Sequence, residues 1–269
     1  MLTIKSSNIH FSIVTINYNN ISGLIKTVES VVSQTFKDFE YIIIDGGSTD
    51  GSKEYIVEQQ NYFTYWVSES DEGIYNAMNK GIKEAKGEYL YFLNSGDYFL
   101  SNYILDCVNH YTINLPDIIY GNVLVYSEEN CLARIEESKS IDRISLYRSM
   151  ICHQAIFSNK SLFVNFGEFD LYYKIKADYE WLLRVVSNSS NLNIEYIKEL
   201  ICFYPKEGAS AKYYKDISVF EIPKIKSKFY NKSQEKFVQW FFIRKELRYL
   251  STTILKFSIF RRMILNFMK

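Results

Sequence analysis

The chain has 269 residues, of which 47% are hydrophobic, enough for one large α/β domain or for a core domain with a small appendage. That apolar content excludes a disordered chain. Lysine plus arginine (31) equals aspartate plus glutamate (31), so the net charge offers no support for nucleic-acid binding and we expect no nucleic-acid partner.

The cysteines and the N-terminal residues bear on the cellular compartment. The four cysteines lie far apart without a CxxC pair, which argues against a zinc site or a disulfide framework and fits a reducing compartment. We see no apolar run of signal-peptide length near the N-terminus, and no stretch of about 18 apolar residues that would span a bilayer. We therefore expect a cytoplasmic protein.

Strands and helices alternate through about the first 100 residues. Apolar, β-branched runs predict four buried strands, at Phe11–Asn17, Glu40–Asp45, Tyr62–Ser68 and Glu88–Leu93. Helices are predicted up to about Ser33, after Gly51 and over Ile74–Ala85. This alternation predicts a parallel sheet with helices on both faces. Such sheets bind ligands at the carboxyl ends of their strands, where this chain has polar or glycine-rich loops.

The pattern changes after residue 100. Asp117–Tyr126 and Gln154–Phe157 are predicted as strands of a mixed sheet region, and Lys176–Val186 as a helix. A long helical pattern without glycine or proline runs from about Glu235 to Lys269, and it carries no acid after Glu246. A basic helix with an aliphatic and aromatic face is typical of an interfacial membrane anchor. The alternative is a helix that packs on the main domain or on a second subunit, as in a homodimer.

Two carboxylates follow predicted strands directly. Asp45 ends the second strand beside two glycines, where it can accept the N3–H of a uracil, or else cap the next helix. Asp97 closes the turn after the fourth strand, where one carboxylate can hold Mg²⁺ or Mn²⁺ together with phosphate oxygens. Such a metal would neutralise a diphosphate leaving group. The alternative for Asp97 is a structural residue of a type I turn.

A third polar segment lies between the third strand and its helix. Asp71 either bonds a nucleotide or caps the helix. Asn76 and Lys80 lie on neighbouring faces of that helix, and Lys80 is a candidate phosphate contact.

The candidate general base is Asp178. It lies near the start of a predicted helix, beside Tyr179, Glu180 and Trp181, whose aromatic members can stack on a sugar. A direct displacement needs one such base to take the proton of the acceptor hydroxyl. The alternative is an acid that only interacts favourably with the helix dipole. His153, which precedes an apolar run, is read as structural from its residue type alone.

At this point the chain resembles the family-2 glycosyltransferases. The resemblance covers roughly residues 10–210 and is especially close to bacterial members that build O-antigen, capsule or exopolysaccharide repeat units. Five motifs, in the family's order, carry it: Phe11–Asn19 (FSIVTINYN), Asp45–Gly51 (DGGSTDG), Ser68–Gly81 (SESDEGIYNAMNKG), Asn94–Asp97 (NSGD) and Ala177–Arg184 (ADYEWLLR).

The resemblance implies an α/β GT-A fold, with a mostly parallel central sheet flanked by helices, and an inverting reaction. It implies Asp97 as the metal carboxylate, Asp178 as the base, and His153 with Gln154 as a pair near donor and acceptor. Tyr179, Glu180 and Trp181 are carried as further donor or acceptor contacts. We place the nucleotide sugar against the polar residues of the motifs: Thr15, Asn17, Tyr18, Asn19, Asp45, Gly46, Asp71, Asn76, Lys80, Asn94, Ser95 and Gly96.

The chain also departs from the family pattern. The common Asp-Asp-Gly-Ser is Asp45-Gly46-Gly47-Ser48, and Asn94 and Gly96 stand where the metal motif often has acids. The missing acids bear on ribose contacts and metal affinity. The thinned metal motif also keeps a non-catalytic nucleotide-sugar-binding module open. A nucleotidyltransferase is the other alternative, but residues 15–22 lack its glycine-rich basic loop.

The sequence thus predicts a GT-A domain over residues 1–215, with a nucleotide-sugar half at about 10–100 and an acceptor half at about 101–215. Residues 216–269 are predicted as a basic, amphipathic helical extension. We expect a metal-dependent, inverting transfer from a UDP-sugar to a saccharide, carried on undecaprenyl diphosphate at the inner face of a bacterial membrane. The protein would be peripheral there through its C-terminal helix.

Overall fold

A computed structural model describes residues 10–127, 132–138, 140–205 and 209–242. This part of the chain contains nine strands, eight α-helices with defined bounds and a further helical segment over residues 232–242. The strands are β1 Phe11–Asn17, β2 Phe39–Asp45, β3 Tyr65–Ser68, β4 Tyr89–Phe92, β5 Tyr98–Phe99, β6 Ile118–Ser127, β7 Leu132–Glu136, β8 Ile156–Asn159 and β9 Ile194–Pro205. The helices are α1 Ile21–Val32, α2 Ser52–Glu58, α3 Ile74–Glu84, α4 Ile104–Tyr111, α5 Arg143–Arg148, α6 Lys160–Phe166, α7 Ala177–Asn188 and α8 Ala209–Phe229.

The first four strands form the parallel part of the sheet. Their order is β3-β2-β1-β4, and each neighbouring pair is parallel. The register places Asn17 beside Asp45, and Asp45 beside Ser68, so the carboxyl ends of three strands meet at one edge. The predicted strand at Tyr62–Ser68 is shorter than expected, because residues Gln60–Tyr62 form a 3₁₀ turn before it.

The second half of the chain extends the same sheet with mixed pairing, as predicted. Its order continues β4-β8-β6-β9-β5, and β7 pairs with β6. Because β8 runs antiparallel to β4, the start of β8 lies at the edge where β4 ends. A 3₁₀ turn, His153–Ala155, leads into β8 and is therefore placed beside the loop that follows β4.

The core explains much of the aromatic content. Tyr91 lies between Phe157 and Phe99, with ring centroids 4.1 and 5.2 Å away, and all three rings are buried. Phe163 stacks on Trp181 at 4.3 Å under α7. Aromatic rings at these separations add to the free energy of burial, so the core supports the sheet edge on which the polar loops lie.

The described residues fall into two compact units, which divide between Pro223 and Lys224. The predicted boundary between residues 215 and 216 lies inside α8. Of the long helix predicted from Glu235, residues 235–242 are helical, and the rest lies outside the described residues. In the described part of the chain, no helix combines the length and apolarity needed to cross a membrane.

Candidate active site

The end of β2 carries a fully hydrogen-bonded carboxylate. Asp45 has no exposed surface, and its Oδ1 accepts from Asn17 Nδ2 at 2.7 Å and from Ser48 Oγ at 2.5 Å. Its Oδ2 accepts from Ser48 N at 2.9 Å and from Ser68 Oγ at 2.7 Å. Four donors from three segments converge on one side chain. Asp45 therefore holds the ends of β1, β2 and β3 in register.

Hydrogen bonding also decides the charge of Asp45. Burial alone would raise the pKa of this carboxyl. The hydrogen bonds from Ser48, Ser68 and Asn17 outweigh burial and hold the pKa below its ordinary value. Asp45 is thus an anion that already accepts four hydrogen bonds, and in this geometry it organises the loop. The contact of Asp45 with a uracil N3–H stays a prediction.

Gly46 explains the missing second acid of the Asp-Asp-Gly-Ser pattern. A Cβ built on Gly46 would lie 2.6 Å from Asp71 Oδ2 and 3.1 Å from Tyr18 Cδ2. The space for a side chain at residue 46 is therefore filled by a carboxylate from another loop. The Asp71 Oδ1 accepts from Gly73 N at 2.8 Å, so Asp71 also fixes the turn before α3, whose N-cap is Gly73.

The loop after β1 lies over this point. Tyr18 is 66% exposed, and its ring adjoins Gly46. Asn19 ties the loop down, since its backbone N–H donates to Ser48 Oγ at 2.7 Å and its Oδ1 accepts from Thr49 N at 2.8 Å. An exposed aromatic ring on a well-held loop is a suitable stacking surface for a base.

Three other predicted nucleotide contacts have partners within the protein. Thr15 is fully buried, and its hydroxyl lies 3.1 Å from Tyr41 Oη. Lys80 Nζ contacts Glu69 Oε1 at 2.7 Å, and Asn76 Oδ1 accepts from Glu72 N at 3.4 Å. The last two side chains brace residues 69–72, so they act on the site through the loop that carries Asp71.

The turn after β4 presents Asp97. Thr27 fixes the turn, because its Oγ1 donates to Asp97 O at 2.7 Å and accepts from Gly96 N at 3.0 Å. Asn20 Nδ2 adds a bond to Ser95 O at 2.9 Å. Gly96 has a φ of +103°, a conformation that an acid at this position would adopt only with strain. The backbone of the turn thus explains one of the two missing acids.

Asp97 is buried like Asp45, but it differs in its hydrogen bonds and in the direction of its pKa shift. It is 4% exposed, and its Oδ2 accepts from Gln154 Nε2 at 2.8 Å. Burial raises the pKa of Asp97 to about 7, against the lowering effects of Gln154, His153 and the Asn94 backbone. No Lys or Arg of the described chain forms an ion pair with it. A buried carboxylate without a basic partner is a suitable ligand for a cation.

The residues around Asp97 fit a divalent metal that is shared with a substrate. Asn94 Oδ1 is buried and accepts no hydrogen bond, so two oxygen ligands lie on one short turn. Carboxylate and amide oxygens are the ligands that Mg²⁺ and Mn²⁺ prefer. Among the described residues, no group of three or more acidic, His or Cys side chains is arranged to hold a metal ion. Mg²⁺ is often bound by one or two carboxylates together with waters and phosphate oxygens, and the two oxygens of this turn fit that pattern.

The second carboxylate, Asp178, is tied to the same turn. Its Oδ1 accepts from Tyr75 Oη at 2.8 Å and from Tyr179 N at 2.9 Å. Its Oδ2 lies 3.3 Å from His153 Nδ1, and His153 Nε2 lies 3.2 Å from Asn94 Nδ2. With Asn94 donating, the His153 proton is on Nδ1 and is donated to Asp178.

Asp178 is held as an anion. Burial would raise its pKa, but the hydrogen bond from His153, the charge of Lys176 and the hydrogen bond from the Tyr75 hydroxyl hold the pKa below its ordinary value. Adjacent residues His153 and Gln154 therefore contact the two carboxylates, one each. The structure places His153 between Asn94 and Asp178, and its role in donor or acceptor binding stays a prediction.

Tyr179, Glu180 and Trp181 belong to the core. Tyr179 Oη donates to Leu146 O at 2.7 Å, and Trp181 Nε1 donates to Gly167 O at 2.9 Å. Glu180 is fully buried and pairs with Arg184 at 2.9 Å. All three side chains are buried against partners inside the protein, so they present no surface on which a sugar could stack. Sequence alone misjudged the face, since every residue from Ala177 to Leu183 is buried.

Two residues of the site were missed from sequence. Tyr75 donates to Asp178, and Glu221 accepts from the backbone that precedes Asp178. Tyr75 lies within the motif Ser68–Gly81, and its phenol hydroxyl could have identified it as a hydrogen-bond donor in the site. Glu221 lies 43 positions after Asp178, within the predicted helical extension, and no local signal connects it with the site.

Comparison with known proteins finds glycosyltransferases. The model of Glycosyl transferase family 2 matches residues 12–163. An uncharacterized glycosyltransferase of Mycobacterium tuberculosis is 34% identical over 190 residues, which cover 64% of this chain and 67% of that protein. A PGL/p-HBAD biosynthesis glycosyltransferase of Mycobacterium bovis is 31% identical over 210 residues, covering 74% of this chain and 77% of the relative.

Solved structures share the fold. TarS 1-349 of S. aureus, in complex with UDP-GlcNAc, superposes with a TM-score of 0.65 at 16% identity, covering 80% of this chain and 64% of that chain. The mannosyltransferase PcManGT of Pyrobaculum calidifontis, in complex with GDP-Man and Mn²⁺, gives 0.56 at 14% identity, covering 74% and 58%. The match thus spans less than two thirds of either solved chain. At these identities the likeness establishes the fold, and the predicted GT-A architecture is confirmed.

The family match covers more than half of the chain and includes the first four of the five motifs. It includes both β4 and the His153-Gln154 pair, which the structure places around Asp97. This protein belongs to glycosyltransferase family 2.

Proposed function

We propose that the protein transfers a sugar from a UDP-sugar to a hydroxyl of a saccharide acceptor, with inversion at the anomeric carbon. The observation that carries this proposal is the pair of buried carboxylates, Asp97 and Asp178, joined through Gln154 and His153 at one edge of the sheet. One is held as an anion, and the other has a raised pKa and no basic partner. Opposed environments of this kind separate two chemical roles.

Asp178 is the base in this proposal. Its lowered pKa keeps it ionised at neutral pH, so it can accept the proton of an acceptor hydroxyl. Tyr75 and His153 hold its two oxygens and fix its orientation. The deprotonated hydroxyl attacks the anomeric carbon on the face opposite the diphosphate, and a single displacement of this kind inverts the configuration.

Asp97 and Asn94 would hold the divalent metal. When bound, Mn²⁺ or Mg²⁺ supplies positive charge to the leaving diphosphate. The chain's own part is to present the Asp97 carboxylate and the unpaired Asn94 Oδ1 on one rigid turn, which Thr27 and Asn20 brace. The complex of PcManGT with Mn²⁺ supports a metal in a protein of this fold.

The nucleotide would lie over Gly46. Tyr18 offers an exposed ring for the base, and Asp71 offers a carboxylate at the place of the missing family acid, suited to a ribose hydroxyl. Asp45 keeps this surface in shape. The complexes of TarS with UDP and with UDP-GlcNAc favour uridine as the nucleoside here.

For the acceptor we propose a saccharide on a lipid diphosphate at the inner face of a bacterial membrane. The basic, apolar sequence after residue 240 supports peripheral attachment, and pairing with a second copy is the alternative for that segment. Removing residues 241–269 and measuring vesicle sedimentation tests the attachment, which fails if the truncated protein sediments with anionic vesicles as the full chain does.

The function is tested by UDP release from a panel of UDP-sugars, with Mn²⁺, with Mg²⁺ and with EDTA. We expect release that needs a metal and is lost in Asp178→Asn. Binding of UDP without turnover of any UDP-sugar would favour a non-catalytic module. Release of pyrophosphate from UTP with a sugar phosphate would favour a nucleotidyltransferase.

A further inference from the structure

A cavity of about 510 Å³ opens next to the segment that leads into His153. It lies between β7, with the residues that follow it, and residues 149–152. Small-molecule sites in proteins have volumes of about 300–1,000 Å³, so one or two sugar units are an appropriate size. None of the site residues described above lines this cavity.

The cavity and the site meet at Cys152 along the chain. Cys152 lines it and immediately precedes His153. Burial raises the pKa of the Cys152 thiol, and the negative charges of Asp97, Asp178 and Glu136 raise it further. Glu136 also lines the cavity. Cys152 Sγ donates to Gln154 Oε1 at 2.6 Å, and Gln154 Nε2 donates to Asp97 Oδ2 at 2.8 Å, so two hydrogen bonds connect this lining residue with the site.

The lining suits a sugar. Arg134 and Glu136 form a pair at 3.5 Å with side chains 69% and 49% exposed, so little free energy is lost when a ligand displaces it. Ser149 adds an exposed hydroxyl, and Ile135, 57% exposed, adds an apolar surface. A pyranose presents hydroxyls at its edge and C–H groups on its face, and this lining has partners for both.

We propose that this cavity binds the acceptor sugar and directs its reacting hydroxyl past Cys152 toward Asp178. This inference rests on the proposed function, and it adds an acceptor site formed by β7 and residues 149–152. The step is the one given above: the hydroxyl proton moves to Asp178, and the oxygen displaces the nucleoside diphosphate.

The test compares two reactions of one donor. With the UDP-sugar that the wild type turns over, hydrolysis to free sugar is measured beside transfer to a panel of methyl and p-nitrophenyl glycosides. Ser149→Trp fills the cavity, and Val164→Trp, at a position 74% exposed on α6, is the matched control. We expect Ser149→Trp to lower transfer at least tenfold, with hydrolysis within twofold, and Val164→Trp to change neither.

Equal loss of both reactions in Ser149→Trp, loss of neither, or a wild type that hydrolyses the donor but uses no glycoside would each overturn the acceptor site. A wild type that turns over no UDP-sugar is a different result, since it overturns the proposed function.

A second, independent observation concerns Glu221. This side chain of α8 is 7% exposed and accepts three backbone hydrogen bonds from consecutive residues. Its Oε1 accepts from Lys174 N at 2.6 Å, and its Oε2 accepts from Ile175 N at 3.1 Å and from Lys176 N at 2.9 Å. A carboxylate that takes three N–H groups fixes the path of the chain at that point.

These three residues lead directly into the helix that carries Asp178. Lys176 is the N-cap of α7 and makes no side-chain capping bond, and the three hydrogen bonds to Glu221 fix the chain up to and including this N-cap. On the other side, Tyr75 Oη donates to Ile175 O at 2.7 Å and to Asp178 Oδ1 at 2.8 Å. The start of α7 is therefore held between α8 and α3.

We infer that Glu221 is a positioning residue for Asp178. It touches neither substrate nor base, and it acts by holding residues 174–176. This inference uses the proposed role of Asp178 as the base.

The matched control is Glu40, which is also buried (2% exposed) and accepts from Ser12 Oγ at 2.6 Å and from the backbone N–H groups of Lys86 and Gly87. It lies near the start of β2, at the edge of the sheet opposite to Asp45. Both Glu221→Gln and Glu40→Gln should lower the melting temperature. In Glu221→Gln at least one buried N–H group loses its partner, and in Glu40→Gln an amide oxygen replaces the carboxylate oxygen that accepts three hydrogen bonds.

Only Glu221→Gln should change catalysis. We expect kcat to fall at least tenfold with the donor KM within twofold, and the amides of residues 174–176 to exchange hydrogen at least tenfold faster. A fall in kcat no larger than in Glu40→Gln, or unchanged exchange at these amides, would overturn the inference. The exchange measurement decides even if the wild type turns over no UDP-sugar, a result that would count against the proposed function instead.

Discussion

Asp45 and Asp97 end neighbouring segments of the same sheet edge, and both are buried, yet their surroundings are opposite. Asp45 accepts four hydrogen bonds, and its pKa is held below the ordinary value. Asp97 accepts from one amide, and burial raises its pKa to about 7. A buried carboxylate that accepts all the hydrogen bonds it can stabilises the fold. A buried carboxylate that accepts few lowers the free energy of unfolding, and a bound cation would offset that loss.

The comparison separates structure from function within one motif-rich edge. Sequence places both aspartates after strands and gives both a ligand role. Asp45 holds three strand ends together through the hydrogen bonds that it accepts. Asp97 accepts fewer hydrogen bonds, so its carboxylate can still bind a ligand. Substitutions at the two positions should therefore have opposite effects on stability and activity.

Asp97→Asn should have the largest effect on activity. Loss of the metal carboxylate should lower turnover about a thousandfold, by analogy with the removal of one strong electrostatic group at an active site. The folded pKa of Asp97 is raised, so its ionisation destabilises the fold as pH rises from about 4 to 7. In the absence of metal, the variant should melt at the same temperature as the wild type or higher at pH 8. A clear drop in melting temperature would contradict this.

Asp45→Asn should have the largest effect on stability. An amide cannot accept all four hydrogen bonds, so buried donors lose their partner and the free energy of unfolding should fall by about 2–4 kcal/mol at pH 7. Because the folded pKa is lowered, the contribution is complete above about pH 4 and is lost as pH falls through the folded pKa. Urea unfolding at pH 7 and pH 3 measures both; an equal difference at the two values would argue against the ionised carboxylate.

Gln154→Ala should have an intermediate effect on activity. It removes the amide that orients Asp97 Oδ2 without removing the carboxylate. We expect turnover to fall about tenfold, as is common when an outer partner of a ligating side chain is lost. Steady-state kinetics across metal concentrations provide the measurement. An unchanged metal dependence and unchanged turnover would mean that Gln154 does not support Asp97.

Tyr18→Ala should have the smallest effect. The side chain is 66% exposed, so the free energy of unfolding should change by less than about 0.5 kcal/mol. Loss of a stacking ring should weaken UDP binding about tenfold, and Tyr18→Phe should restore it. Calorimetric titration with UDP decides, and equal affinities of the wild type and Tyr18→Ala would remove Tyr18 from the base site.

The strand ends and their polar loops could be predicted from sequence, because buried strands are recognisable by their apolar runs and the carboxyl edge of a parallel sheet collects ligands. What could not be predicted depends on long-range packing. Tyr179 and Trp181 lie beside the base in sequence but point into the core, since α7 is buried all round in its first two turns. The hydrogen bonds of Glu221 to residues 174–176 and the hydrogen bond of Tyr75 to Asp178 join residues more than 40 positions apart.

In the proposed mechanism, Asp97 binds a metal together with a nucleoside diphosphate. Thermal shift with UDP, GDP and dTDP, each with Mn²⁺ and with EDTA, on the wild type and Asp97→Asn tests it most directly. We expect UDP with Mn²⁺ to raise the melting temperature of the wild type, and EDTA or Asp97→Asn to remove the rise. An equal rise in Asp97→Asn with Mn²⁺, or in the wild type with EDTA, would contradict it.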